Sequence, residues 1–200
     1  MDLAVIGITF GSIFLVELPD KTFIAALVLS TRYRPLLVWI GVGLAFGVQT
    51  LVAVTAGALV TLLPDVVIGS LAAAIFLIGA VMLYRTAPSA DAEEQEAEQE
   101  YAARATRSRT GLRAVGACFL VLFAAEWGDL SQLLTISLVA QFHEHVEVFL
   151  GAWGALLTVS GLAVVAGRVL LRYMRLSLLH YIGALVCLVL AGVTLFELLT

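Results

Sequence analysis

The 200-residue chain is 62% hydrophobic and 13% charged, with a formal net charge of −4, against ~45–50% and ~25% for a soluble domain. A mean hydropathy of +1.05 leaves too little polar surface for a water-soluble fold. This excludes a cytosolic enzyme, a disulfide-knit secreted module, and a nucleic-acid binder, which would need a basic face. What remains is an all-α membrane protein, long enough at ~1.5 Å per residue for about six bilayer-length helices.

Apolar runs predict six transmembrane spans, over about 3–29, 36–62, 66–84, 114–141, 146–167 and 177–199. The first follows Met1-Asp2 with no basic stretch before it, so it reads as a retained helix and not a cleaved signal. Spans one, two and four exceed ~20 residues and are expected to tilt or kink. The connections are Thr31 to Pro35, Pro64-Asp65, the long stretch from Arg85 to Arg113, His143 to His145, and Arg168 to Arg175. Residues 86–113 form a charged linker, acidic first and basic later, expected to be a solvated helix or flexible. Cys118 and Cys187 fall within apolar runs and read as small packing residues.

Every arginine lies in an odd-numbered connection: Arg32 and Arg34, then Arg85, Arg104, Arg107, Arg109 and Arg113, then Arg168, Arg172 and Arg175. The termini and the even connections carry Asp2, Asp65, Glu144, Glu147 and Glu197 instead. This bias predicts a cytoplasmic linker and both termini outside. Ten arginines against one lysine, with abundant alanine, hint at a GC-rich genome and hence a bacterial plasma (inner) membrane.

The halves resemble each other. Phe14 to Thr22 (FLVELPDKT) aligns with Phe123 to Ser131 (FAAEWGDLS) at an offset of 109; Gly41 matches Gly151, and Ala56-Gly57 matches Ala166-Gly167, at 110. Residues 1–85 and 114–200 each hold three spans. An odd number obliges the second half to insert in the opposite sense, giving two inverted three-helix repeats.

Five charged residues occupy the middle of spans one and four: Glu17, Asp20, Lys21, Glu126 and Asp129. At roughly 2.5–3.5 kcal/mol each, they would cost on the order of 10 kcal/mol or more facing lipid. They are therefore expected to face one another, water or an ion. The i,i+3 spacing puts each acidic pair on one helix face, and Thr22, Ser131 and Gln132 add neutral oxygens. Oxygen ligands without nearby His or Cys suit a hard divalent cation. One lysine cannot neutralise four acids. With no metal bound, repulsion and desolvation favour protons on some of these oxygens, so metal and protons compete for Glu17, Asp20, Glu126 and Asp129. Pro19 frees the Leu15 carbonyl and bends the first helix, while Gly128 is expected to permit close helix approach.

The doubled acidic motif in a six-helix chain of this length resembles the GDT family (transmembrane protein 165-like). The resemblance implies a Ca²⁺/Mn²⁺:H⁺ exchanger, on the pattern of bacterial manganese exporters, with Glu17, Asp20, Thr22, Glu126, Asp129 and Ser131 as cation and proton sites. Pro19 replaces the first motif's glycine and Leu130 the second motif's basic residue, which leaves ion preference and proton stoichiometry open. The transported ion is cargo; no cofactor or nucleic-acid partner is expected, and homodimerisation is left open. Lys21, Gln132 and Gln49 are candidate accessory residues. Gln49, Thr50, Thr55, Thr158 and Ser160 could line the pathway, though helix-to-helix hydrogen bonding is the commoner role. His143 and His145 read as a solvated outer loop. Trp39 and Trp153 could be interfacial anchors, whereas Trp127 is expected to pack within its motif.

Two other functions suit the sequence less well. An exporter of amino acids or small organic solutes would have only Lys21 to receive a carboxylate. An intramembrane lipid-phosphate enzyme would lack a cationic clamp, since the arginines all lie at the cytoplasmic side. Neither fits four acids at mid-membrane.

Overall fold

In the computed structural model the described residues are all of the chain except 19–20, 91–95, 97–98, 101, 104–110, 126, 174–175 and 200, with the side chains of 21, 65, 167–173, 176, 179 and 197 also outside the description. Eight helices and no strand occur among them. They are α1 (Leu3–Glu17), α2 (Lys21–Arg32), α3 (Pro35–Val60), α4 (Asp65–Thr86), α5 (Leu112–Ala125), α6 (Leu130–Phe142), α7 (His145–Tyr173) and α8 (Leu176–Leu199). Local chemistry sets several ends. Asp2 caps α1, its side chain accepting from the Ala4 N–H at 2.8 Å. Pro35 opens α3, where its missing N–H costs nothing. His143 closes α6 in the left-handed region at φ 58°, its N–H donating to Val139.

Three helices are long and apolar enough to cross a bilayer alone: Pro35–Val60, Val66–Thr86 and His145–Ala166. Predicted spans one and four are not continuous. Leu3–Glu17 and Thr22–Arg32 meet at 71°, and Leu112–Ala125 and Leu130–Phe142 at 75°. Each bent pair counted as one span brings the total to five among the described residues; the sixth predicted span contains a shorter apolar helix, His180–Phe196. The long second span, by contrast, stays one uninterrupted helix.

Packing places equivalent positions in equivalent surroundings. A Cβ on Gly41 would lie 2.6 Å from the Val115 carbonyl and 2.9 Å from Cys118 Cβ; one on Gly151 would lie 2.8 Å from both the Ile6 carbonyl and Thr9 Cβ. Val115 and Cys118 follow Ile6 and Thr9 by 109 residues. Helices α3 and α7 cross directly, tied by Trp153 Nε1 donating to the Gly43 carbonyl and Trp39 Nε1 to the Leu157 carbonyl, both at 2.9 Å. These two indoles are thus inter-helix ties and not simply interfacial anchors. Helix α1 packs on α7 and α5 on α3, while α4 and α8 pack on each other. That last pair also packs on α1 and α6, with no contact of like extent to α2 or α5 among the described residues.

The core is built from small and branched side chains, including Ile13, Val38, Val42, Phe76, Leu122, Leu134 and Leu138. Cys118 and Cys187 are buried and unpaired, as packing residues should be. The linker departs from expectation at its start, where Ala87 and Ala90 are buried and Ala102 packs on the core. Many large apolar side chains on α3, α4 and α8 remain exposed, among them Leu44, Leu51, Ile78, Leu185 and Phe196. Such a surface is suited to lipid and not to water.

Candidate functional site: two helix breaks beside acidic residues

Each break is flanked by an acid. Glu17 is the last residue of α1 and is only 1% exposed. The Thr22 hydroxyl, one residue inside α2 and equally buried, donates to Glu17 Oε2 at 2.6 Å. In the second half Asp129 precedes α6 as its N-cap, half-buried, with its carbonyl accepting from the N–H groups of Gln132 and Leu133. The Ser131 hydroxyl, buried, donates to Asp129 Oδ2 at 3.4 Å. A carboxylate–hydroxyl pair thus occurs at each break, where the sequence reading had the hydroxyls only as neutral oxygen ligands. Asp20 and Glu126, with Pro19, lie outside the described residues, as does the Lys21 side chain. Among the described residues no group of three or more His, Cys, Asp or Glu is placed to hold a metal; half of the anticipated four acids are not among them.

The bent elements come together. Helix α1, ending at Glu17, packs on α6, which begins after Asp129, and α2 packs on α5. Gly128 works differently from expectation. Nothing lies within 4 Å of where its Cβ would be, so it does not permit close approach; its φ of +83° is what requires glycine. The turn is fixed further by the Gly128 N–H donating to Gln132 Oε1 at 3.2 Å. Trp127 does not pack into the motif: it is 59% exposed, with its ring 5.0 Å from that of Phe123.

Gln49 and Thr50 are buried on α3, and Gln49 Nε2 donates to the Phe123 carbonyl at 3.2 Å. The other hydroxyls do not bridge helices. Thr55 and Thr158 donate to the carbonyls of Leu51 and Gly154 four residues back, and Ser160 to that of Leu157. His143, Glu144 and His145 are exposed, in keeping with a solvated loop. The sequence reading did not foresee the need of the Phe123 carbonyl, which arises only because α5 stops where it does.

Lipid-suited helices, with two spans broken beside a buried and a half-buried acid and their hydroxyls, match the class of membrane transporter whose helices are interrupted. A family model described as "Divalent cation/proton antiporter GDT1" matches residues 5–91 and 114–200, two stretches of equal length whose starts are 109 residues apart. The chain belongs to this family, which is one of transporters and not of enzymes. It is similar to "Protein PAM71, chloroplastic" of Arabidopsis thaliana, 31% identical over all of this chain and 60% of that one. It is also similar to "GDT1-like protein sll0615" of Synechocystis sp., 33% identical over 85% of this chain and 89% of that one. A further relative is "GDT1-like protein 1, chloroplastic" of Oryza sativa subsp. indica, 29% identical over 98% and 64%. The chain thus spans about 60% of the length of the chloroplast relatives. No solved structure matches it.

Proposed function

We propose that the chain is a secondary active transporter that exports a divalent cation, Mn²⁺ or Ca²⁺, in exchange for protons. The observation that carries this reading is the pair of helix breaks, each with an acid and a hydroxyl at its edge, on elements that pack together. Glu17, Asp20, Glu126 and Asp129 supply the charge, and Thr22 and Ser131 neutral oxygens. With Lys21, the ionised cluster sums to −3, which a divalent ion reduces to −1. Protons take the place of the metal when it leaves, so the two compete for the same oxygens and an imposed proton gradient can drive the cation outward.

Two inverted repeats, 1–85 and 114–200, frame this site in our reading. The matched surroundings of Gly41 and Gly151 and the equal family matches to each half support it. The arginine bias favours a cytoplasmic linker over 86–113 and both termini outside, while ten arginines against one lysine, with abundant alanine, favour a bacterial plasma membrane. Under the exchange of repeats, contacts of the α4–α8 pair with α1 and α6 would become contacts with α5 and α2. Such a switch would open the site first to one side and then to the other.

The test is cation-dependent proton flux in proteoliposomes, wild type against Glu17→Gln and Asp129→Asn. Loss of flux in both is expected, with no flux on addition of amino acids. Undiminished flux in both variants, or none in the wild type, overturns the assignment.

A further inference from the structure

The last carbonyls of an α-helix have no partner within the helix and take donors from elsewhere. The two breaks meet this need differently. In the first half the Phe14 carbonyl accepts from the Leu18 N–H at 2.9 Å, because Leu18 still has helical dihedrals (φ −55°, ψ −36°). The matching carbonyl in the second half, 109 residues on, is that of Phe123. Here α5 ends at Ala125 and the chain passes into the turn at Gly128, φ +83°. The Gln49 side chain donates to Phe123, reaching from α3 at 3.2 Å with only 3% of the residue exposed. The position equivalent to Gln49, at an offset of 110, is Val159, an apolar residue 2% exposed. Among the described residues, a side-chain donor reaches the carbonyl at the second break and none reaches its counterpart at the first.

We propose that Gln49 is a positioning residue for the second acidic motif. Its amide holds the Phe123 carbonyl, fixes the end of α5 against α3, and thereby sets where Asp129 begins α6. It acts through the backbone and need not touch the cation. The role in cation affinity rests on the antiporter reading above; the role at the helix end does not.

Two measurements keep these apart: hydrogen–deuterium exchange of the peptide covering the end of α5, and cation-dependent proton flux titrated with Mn²⁺. Gln49→Met retains length and apolar packing without the donor; Gln49→His restores a ring N–H at similar reach. Gln49→Met is expected to speed exchange at residues 121–125 and to raise the half-saturating Mn²⁺ concentration about tenfold, as loss of a buried hydrogen bond would. The maximal rate should change less, and Gln49→His should restore both quantities. Unchanged exchange in Gln49→Met overturns the proposal, as does a folded Gln49→His with the fast exchange of Gln49→Met. Should Gln49→Met not fold, wild-type exchange in Gln49→His supports the proposal and faster exchange overturns it. A wild type without flux overturns the antiporter reading alone, since the exchange comparison still decides the role of Gln49.

Discussion

The hydroxyl of Thr22 lies 2.6 Å from Glu17 Oε2, donating across the 71° turn between α1 and α2. A hydrogen bond to a charged group contributes about 1.5–3 kcal/mol. Thr22→Val should therefore raise the half-saturating cation concentration by roughly tenfold to a hundredfold, while Thr22→Ser stays near wild type. Initial rates of flux against Mn²⁺ concentration measure both. Equal values for valine and serine would show that the hydroxyl does not act on the carboxylate.

Gly128 has a left-handed backbone with open space around it, whereas Gly116, inside α5, is also open but helical. Gly128→Ala is expected to destabilise by about 1–2 kcal/mol through backbone strain. Gly116→Ala should be neutral or stabilise by up to about 1 kcal/mol, since alanine is the better helix former. Thermal unfolding in one detergent ranks the two, and the order is the prediction.

Gly41 and Gly151 face backbone carbonyls that cannot move aside, at 2.6 Å and 2.8 Å from their ideal Cβ positions. Alanine at either should lower the unfolding temperature by similar amounts, through overpacking of about 1–3 kcal/mol. Gly7→Ala, with nothing within 4 Å and inside α1, should leave it unchanged or raise it slightly, as for Gly116. A large loss at one site with none at the other would mean that the two crossings are not equivalent.

Both native cysteines are buried, so a single added thiol reports sidedness. Ser89→Cys, at the start of the linker, should react with an impermeant maleimide only from the cytoplasmic face, and Glu144→Cys only from the opposite face. Labelling of each from the other face would reverse the orientation inferred from the arginines, and labelling of both from one side would overturn the span count between them.

Much of the fold was legible because lipid exposure writes itself into long apolar runs, and these gave the connections at Pro64 and His143 correctly. The breaks were only half legible. Residues on both sides of each bend remain apolar, so hydropathy sees one span where the backbone makes two helices. Pro19 announced a kink, but Gly128 was read as a packing residue because φ is not encoded in composition. Thr22 and Ser131 stood out by spacing as added oxygens, but that their hydroxyls donate to Glu17 and Asp129 was not legible. Gln49 could be noticed as a polar residue in a membrane helix, but its partner lies 74 residues away and is a carbonyl, which every residue possesses. The tryptophan contacts were hidden for the same reason: Trp39 and Trp153 donate to carbonyls on another helix, while Trp127, expected to pack within its motif, is exposed.

The tie between Trp153 and Gly43 joins two positions that the 110-residue offset makes counterparts. In the duplicated architecture proposed above, that point sits on the axis relating the halves. A dimer of identical half-length chains would have to place the same residue there twice, either two glycines leaving a void or two indoles competing for one space. Joining the halves in one polypeptide removes that constraint. One side can then carry the donor and the other the bare carbonyl, so the crossing of α3 and α7 is locked by a contact that perfect symmetry would forbid.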